Sequence, residues 1–180
     1  MYVPTPARPG RVARQDDEYQ RCGTANVFCV VEPKAGWHLA QVTARRTGSD
    51  FADVVRRIVD HDPFARTIHL VMDNLNIHGP KSLIQRFGEK AGTYLWSRLT
   101  VHHTPKHASW LNRAEIEVSL FSRECLGTRR LADLATLRQE AKAWTKRANR
   151  ERRTIQWRFT RKRARDVFQY EPVKKARSRH

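Results

Sequence analysis

Two carboxylates stand where they could hold a divalent cation. Asp73 closes the short apolar run TIHLVM, residues 67–72, and opens the polar stretch DNLNIHGP. A run that short reads as a buried strand rather than a helix, and open α/β sheets bind ligands at the carboxyl ends of their strands. An Asp at that point either ligates a metal or closes the strand with an Asx turn. Glu115 and Glu117 belong to a helix read to start near Trp110, and the helical period separates them. With Leu111 at zero, Ala114, Val118, Phe121 and Cys125 fall at about 300, 340, 280 and 320°, which makes one apolar face. Glu115 falls at about 40°, beside that face, whereas Glu117 falls at about 240° with Arg113 and Glu124 on a charged outer face. A carboxylate turned inward needs a cation, donors or a metal. Glu115 is therefore the candidate ligand, and Glu117 is expected to be an ordinary solvated charge.

His78 follows Asp73 by five positions, and His102, His103 and His107 lie close together. Their spacings fit no common structural zinc pattern. Adjacent strand residues also point to opposite faces, so His102 and His103 cannot share one ion without a bulge. His78 and His107 are instead expected to position phosphates or carboxylates, with one of the strand pair simply at the surface. The chain contains no Gly-x-Ser-x-Gly elbow, no Gly-rich phosphate loop and no recognised Cys–His arrangement.

These residues need elements to carry them. TANVFCVV, residues 24–31, is rich in β-formers; the turn signal EPKAG follows, and WHLAQVTAR, residues 37–45, completes a hairpin. Phe51, Val54, Val55, Ile58 and Val59 recur at helical spacing behind the caps Thr47 and Ser49, and Asp62 with Pro63 closes that helix. After the Asp73 strand come a helix opening at Pro80 (PKSLIQRF), a segment around Tyr94, Leu95 and Trp96, the short strand LTVHH and the Glu115 helix. Two further helices follow. One has Leu134, Leu137, Ala141, Trp144 and Ala148 on one face; the other is capped by Thr160, with Ala164, Val167 and Phe168 as its apolar side. The order β-β-α-β-α-β-α implies a mixed α/β sheet covered by helices. Trp144 and Trp157 read as core. Residues 1–21 are Pro-rich and charged and read as an extended arm, 22–130 as the α/β domain, and 131–180 as basic helices and tail.

Charge points to the partner. Of a formal net +17, the 40 residues from 141 to 180 hold +12, with 15 Lys/Arg against 3 Asp/Glu. A row of cations neutralises phosphates and releases their condensed counterions, so nucleic acid is the expected partner. The basic segment lacks the broad apolar face that interfacial membrane binding needs, and no apolar run approaches a bilayer span. The 39% hydrophobic and 9% aromatic content is too high for a wholly disordered chain. Cysteines at 22, 29 and 125 form no Cys-x-x-Cys pair or closed set of bridges, which suits a reduced, cytoplasmic, nucleoid-associated setting.

The strings MDNLNIHGP and HHTPKHASWLNRAEIEVSLFSRECL, with RCGTANVFCVVEPKAGW upstream and IQWRF downstream, carry a resemblance. The chain from Pro9 to Phe168 resembles the bacterial insertion-sequence branch of the mariner superfamily of DDE transposases. The resemblance implies a ribonuclease-H-like catalytic domain in which three carboxylates bind two Mg2+ ions, with Mn2+ as a substitute. By motif position Asp73 corresponds to the second carboxylate and Glu115 to the third. Asn74, His78 and Asn112, within the same motifs, would support them. The implied chemistry is cleavage at transposon ends and joining to target DNA. The expected DNA contacts are Lys106, His107, Lys142, Lys146, Arg147, Arg150, Arg158, Arg161, Lys162 and Arg163, with Arg165 beside them.

The chain departs from this pattern at its start. The family's first Asp sits on an opening strand in the middle of the sheet. Here the only early acidic candidates, Asp16 and Asp17, lie in the charged arm with no apolar strand before them. The expectation is an α/β, ribonuclease-H-like mixed sheet flanked by helices and lacking its first strand, with two inner edges open. Such a protein would be inactive alone, and an upstream transposase segment or a homodimer would complete it. The alternative is a non-catalytic basic DNA-binding remnant.

Overall fold

The hairpin forms as the β-rich segments predict. In a computed structural model that describes residues 23–104, 114–155 and 161–168, β1 (Asn26–Glu32) pairs antiparallel with β2 (Trp37–Thr43), Val30 opposite Leu39. Its turn is closed by the Gly36 amide donating to the Glu32 carbonyl at 2.9 Å. Gly36 has φ +70°, and a Cβ there would lie 2.6 Å from the Arg152 carbonyl carbon. The turn thus needs glycine both for its backbone and for its close approach to the helix behind it.

That helix is α5 (Leu134–Glu151), started by the Asp133 side chain accepting from the Thr136 amide. It covers the outer edge of β2. Asn149 bonds both backbone groups of His38, at 2.7 and 2.9 Å, and Thr145 Oγ1 accepts from the Ala40 amide. Two side chains therefore replace a neighbouring strand and blunt an edge that would otherwise invite pairing. Ala40, Val42, Ala141, Trp144 and Ala148 pack with Phe121 and Cys125 into one core, and Leu134 and Leu137 seal it, so the predicted apolar face of α5 is the one observed.

The second half is built around α1 (Gly48–His61), which opens on a reciprocal capping box between Thr47 and Asp50. Phe51, Val54, Val55, Ile58 and Val59 are all buried. β3 (Ile68–Met72) and β4 (Leu99–His103) pair in parallel, joined by α2 (Pro80–Phe87) and α3 (Glu89–Ser97). Leu83 and Leu95 from these helices meet Phe51, Val55 and Met72 in a second core. α4 (Ala114–Phe121) runs on into a π-helical turn, Ser122–Leu126, and α6 (Arg161–Phe168) follows α5. Val167, expected on the apolar side of α6, is 58% exposed.

The single mixed sheet expected from the element order is, among the described residues, two sheets of two strands each. β2 and β4 pair with their hairpin or crossover partners, but β1 and β3 do not pair with each other. Their facing edges make no backbone hydrogen bonds among the described residues. Between them lies a cavity of about 860 Å³, floored by Phe51, Val54 and Ile58 of α1. The mixed α/β architecture with short sheets is consistent with a ribonuclease-H-like domain.

Candidate functional site

Asp73 leaves the end of β3 as the sequence predicts, and its side chain makes no Asx turn. Instead its Oδ1 lies 2.7 Å from His78 Nδ1, which also sits 3.2 Å from the Asp73 carbonyl oxygen. Both partners can only accept, so Nδ1 carries the ring proton. The imidazole is fixed in turn by stacking on Phe51, centroids 4.6 Å apart. His78 thus aims and steadies the Asp73 carboxylate, which remains half exposed.

Glu115 lies at the start of α4, and it lines the same cavity as Asp73, His78 and Val118. It is exposed rather than turned into the core. Asn74 is exposed and does not line the cavity. Lys106, His107, Asn112 and Arg158 lie outside the described residues, as do the arm of residues 1–22 with Asp16 and Asp17, Trp157, and the Arg161 side chain.

The reading of Glu117 is overturned. Expected as a solvated charge, it is 0% exposed, with His38 at 1% beside it. The reason lies in the phase of the helix. The buried stripe runs through Glu117 and Phe121, four residues apart, while Val118 is 51% exposed and faces the cavity. Cys125, in the π-helical turn that continues the helix, lies in the same core as Phe121. The wheel centres its face toward the apolar Val118, and the buried stripe through Glu117 and Phe121 lies roughly 50° to one side of it.

Burial of Glu117 is possible because β2 supplies its partner. His38 Nδ1 lies 2.8 Å from Glu117 Oε1, and His38 Nε2 lies 2.9 Å from the Arg153 carbonyl oxygen. The Arg153 carbonyl can only accept, so Nε2 donates, and a protonated ring, donating from Nδ1 as well, satisfies both contacts. Its pKa is raised, first by the Glu117 hydrogen bond, with desolvation opposing. Glu117 Oε2 has no partner among the described residues. The same charge and, above all, burial push the neighbouring Cys29 thiol up to about 12, so it is no nucleophile at neutral pH.

A pH dependence follows from His38. A folded-state pKa above the unfolded value adds stability that is complete below the unfolded pKa, about 6.5, and is lost as pH rises through the higher folded value. The urea midpoint should therefore fall across that range in the native protein and fall less in His38→Gln. Parallel midpoint profiles for the two proteins would count against the imidazolium assignment.

The basic surface is partly as expected. Lys142, Lys146, Arg147 and Arg150 on α5 and Lys162 and Arg163 on α6 are exposed. Arg147 is engaged by Glu124 at 3.7 Å. Burial raises the Glu124 pKa, but hydrogen bonds from Arg153 and Trp144 outweigh it and hold the carboxyl below its ordinary range. No pattern in the sequence singles out Arg57 and Arg138, from α1 and α5, which line a small cavity of about 280 Å³ together with Lys142 beside β2. Replacing Lys142, Lys146 and Arg150 with Gln should weaken DNA binding evenly across sequences. The salt dependence should flatten by about 0.9 for each phosphate that is no longer neutralised. Arg147→Gln should do less, because Glu124 already holds it. Fluorescence anisotropy over a salt series measures both effects.

Among the described residues His102 pairs with His69 of β3, Nε2 to Nδ1 at 3.0 Å, and His103 is exposed. No helix among them is long and apolar enough to cross a membrane.

An α/β frame that brings a strand-end Asp and a helix-borne Glu to one cavity fits the class of metal-dependent nucleases. Residues 2–138, about three quarters of the chain, match the DDE superfamily endonuclease family, and the chain belongs to it. The family implies transposase-like nuclease activity on DNA, and its nucleases generally use divalent metal ions. No curated protein and no solved structure gave a match.

The donor chemistry of the cavity suits such an ion. Two carboxylates offer the oxygen ligands that Mg2+ prefers, and their partial exposure leaves room for the waters it retains. Among the described residues, no group of three His, Cys, Asp or Glu ligand atoms within 4.8 Å of one another includes Asp73 or Glu115.

Proposed function

We propose that this chain is the catalytic body of an insertion-sequence transposase of the mariner type, with a ribonuclease-H-like fold, cutting transposon ends and joining them to target DNA. The observation that carries the proposal is that Asp73 and Glu115, from β3 and α4, open into one cavity. Asp73 and Glu115 would hold Mg2+, or Mn2+ in its place, while His78 orients Asp73. When bound, the metal supplies charge stabilisation at the phosphodiester and an activated water or 3′-hydroxyl. The basic stripe of α5 would hold the DNA backbone in register.

We further propose that a third carboxylate arrives on a strand seated between β1 and β3. The support is physical: two facing strand edges without backbone partners flank a cavity, whereas the outer edge of β2 is covered by Asn149 and Thr145. That strand could come from an upstream-encoded segment or a second copy.

The test is Mg2+-dependent nicking of the element's end DNA by the purified chain, alone and with the upstream-encoded segment. Nicking is expected only with the segment and should disappear in Asp73→Asn. Robust nicking by the chain alone, abolished by Asp73→Asn, would refute the need for the third carboxylate. Among the described residues no group of three His, Cys, Asp or Glu ligand atoms within 4.8 Å of one another includes Asp73 or Glu115, which favours one other reading, a non-catalytic DNA-binding protein. It predicts salt-sensitive binding that Asp73→Ala and Glu115→Ala leave unchanged, and no nicking under either condition.

A further inference from the structure

Three side chains have no part in the proposed chemistry, although one of them, Glu32, lines the same cavity as Asp73 and Glu115. Glu32 ends β1, His61 ends α1, and Asp62 is the C-cap residue of that helix. One ligand atom from each lies within 4.8 Å of the other two. Asp73 follows the opposite end of β3, and a five-residue strand separates the two places by roughly 16 Å. The group of ligand atoms within 4.8 Å includes neither Asp73 nor Glu115, although Glu32 borders the cavity they share.

Each of the three is held in place by its own local structure. The His61 ring is stacked on Trp37, centroids 4.2 Å apart and 13° from parallel. The Asp62 carbonyl accepts from Arg98 and from the Ala65 amide, at 3.2 Å each, which pins the backbone that carries the carboxylate. Glu32 sits in the strand ladder opposite Trp37, and its carbonyl closes the hairpin turn. In a chain of net charge +17, neither carboxylate forms an ion pair among the described residues. Two carboxylates and an imidazole brought this close, without a basic side chain between them, leave a position that a cation would satisfy.

We infer that Glu32, His61 and Asp62 form a separate metal site that takes a zinc-class transition ion on one nitrogen and two oxygens, with water completing its shell. The donor set selects the ion. An imidazole with carboxylates suits Zn2+, whose nitrogen and oxygen ligands lie at about 2.0–2.2 Å, whereas Mg2+ demands oxygen and keeps most of its water. Donor atoms within 4.8 Å need only small side-chain rotations to close on such an ion. Binding would clip the end of β1 to the end of α1. An ion bound only by the folded state raises the unfolding midpoint as its concentration rises.

Calorimetric titration of the tag-free, metal-stripped chain with ZnCl2 tests this, with thermal unfolding followed in parallel. One zinc per chain is expected, with a rising midpoint. His61→Ala and, separately, Glu32→Gln should each weaken binding at least about tenfold, since even outer-shell changes cost that much. Asp73→Asn and His102→Ala should leave it unchanged, which separates this site from the Asp73 carboxylate and from the His69–His102 pair. Circular dichroism confirms that each variant is folded, and Glu32→Gln, an exposed and nearly isosteric change, decides the matter if His61→Ala is not. The inference is overturned by absence of zinc binding, by binding that survives Glu32→Gln in full, or by binding lost in Asp73→Asn.

Discussion

Replacing Glu117 with Ala should destabilise the protein by about 3–5 kcal/mol, because removing one member of a buried ion pair strands the other. In this case the stranded group is His38, 1% exposed and donating from both ring nitrogens. For a domain of this size each kcal/mol moves the melting midpoint by roughly 2–4 °C, so the loss is easily read by calorimetry. Glu117→Gln keeps the volume and one acceptor and should cost less. Replacing the pair together, His38→Leu with Glu117→Met, should recover much of the loss, since apolar residues of similar volume avoid both desolvation penalties. A change within about 0.5 kcal/mol for Glu117→Ala, the scale of a surface substitution, would show that the pair is not buried in solution.

That pair also marks the limit of what the sequence alone discloses. Local signals placed the elements well: the Thr47 cap, the period of Phe51 to Val59, Pro80 opening α2 and the apolar stripe of α5 all appear where their spacing puts them. They did so because each depends on neighbours within one or two turns. Asp73 was legible for the same reason, as a polar break after a short apolar run. Glu117 was not, because its partner lies 79 positions away on β2 and because the apolar Val118, which draws the predicted face toward itself, borders a cavity instead of the core. Glu115 was selected for lying beside an apolar face, yet it borders a cavity between two sheets. The wheel picked Glu115 through a face that is only partly buried. Arg57 and Arg138 were invisible for a related reason: they come together only when α1 and α5 flank β2.

The second large effect is expected at Asp73. In protein that holds the completing strand, Asp73→Asn and Glu115→Gln should each reduce Mg2+-dependent nicking by about a thousandfold or more. Metal ions in such sites contribute several kcal/mol of charge stabilisation, and each 1.36 kcal/mol is tenfold in rate. The amide keeps the shape of the side chain but removes the charge that attracts the cation. His78→Ala should cost less, about 10- to 100-fold, because it leaves both carboxylates and removes only the group that orients one of them. The ordering separates ligand from support. A positioning role also predicts that His78→Gln, which can still donate to Asp73, recovers part of the rate, while no neutral residue rescues position 73. DNA affinity measured without metal should be nearly unchanged in all of these variants, because the proposed phosphate-binding stripe lies on α5. Equal losses at His78 and Asp73, or a parallel loss of metal-free DNA binding, would place the defect in folding or docking rather than in the chemistry. Full activity in Asp73→Asn would remove the site altogether.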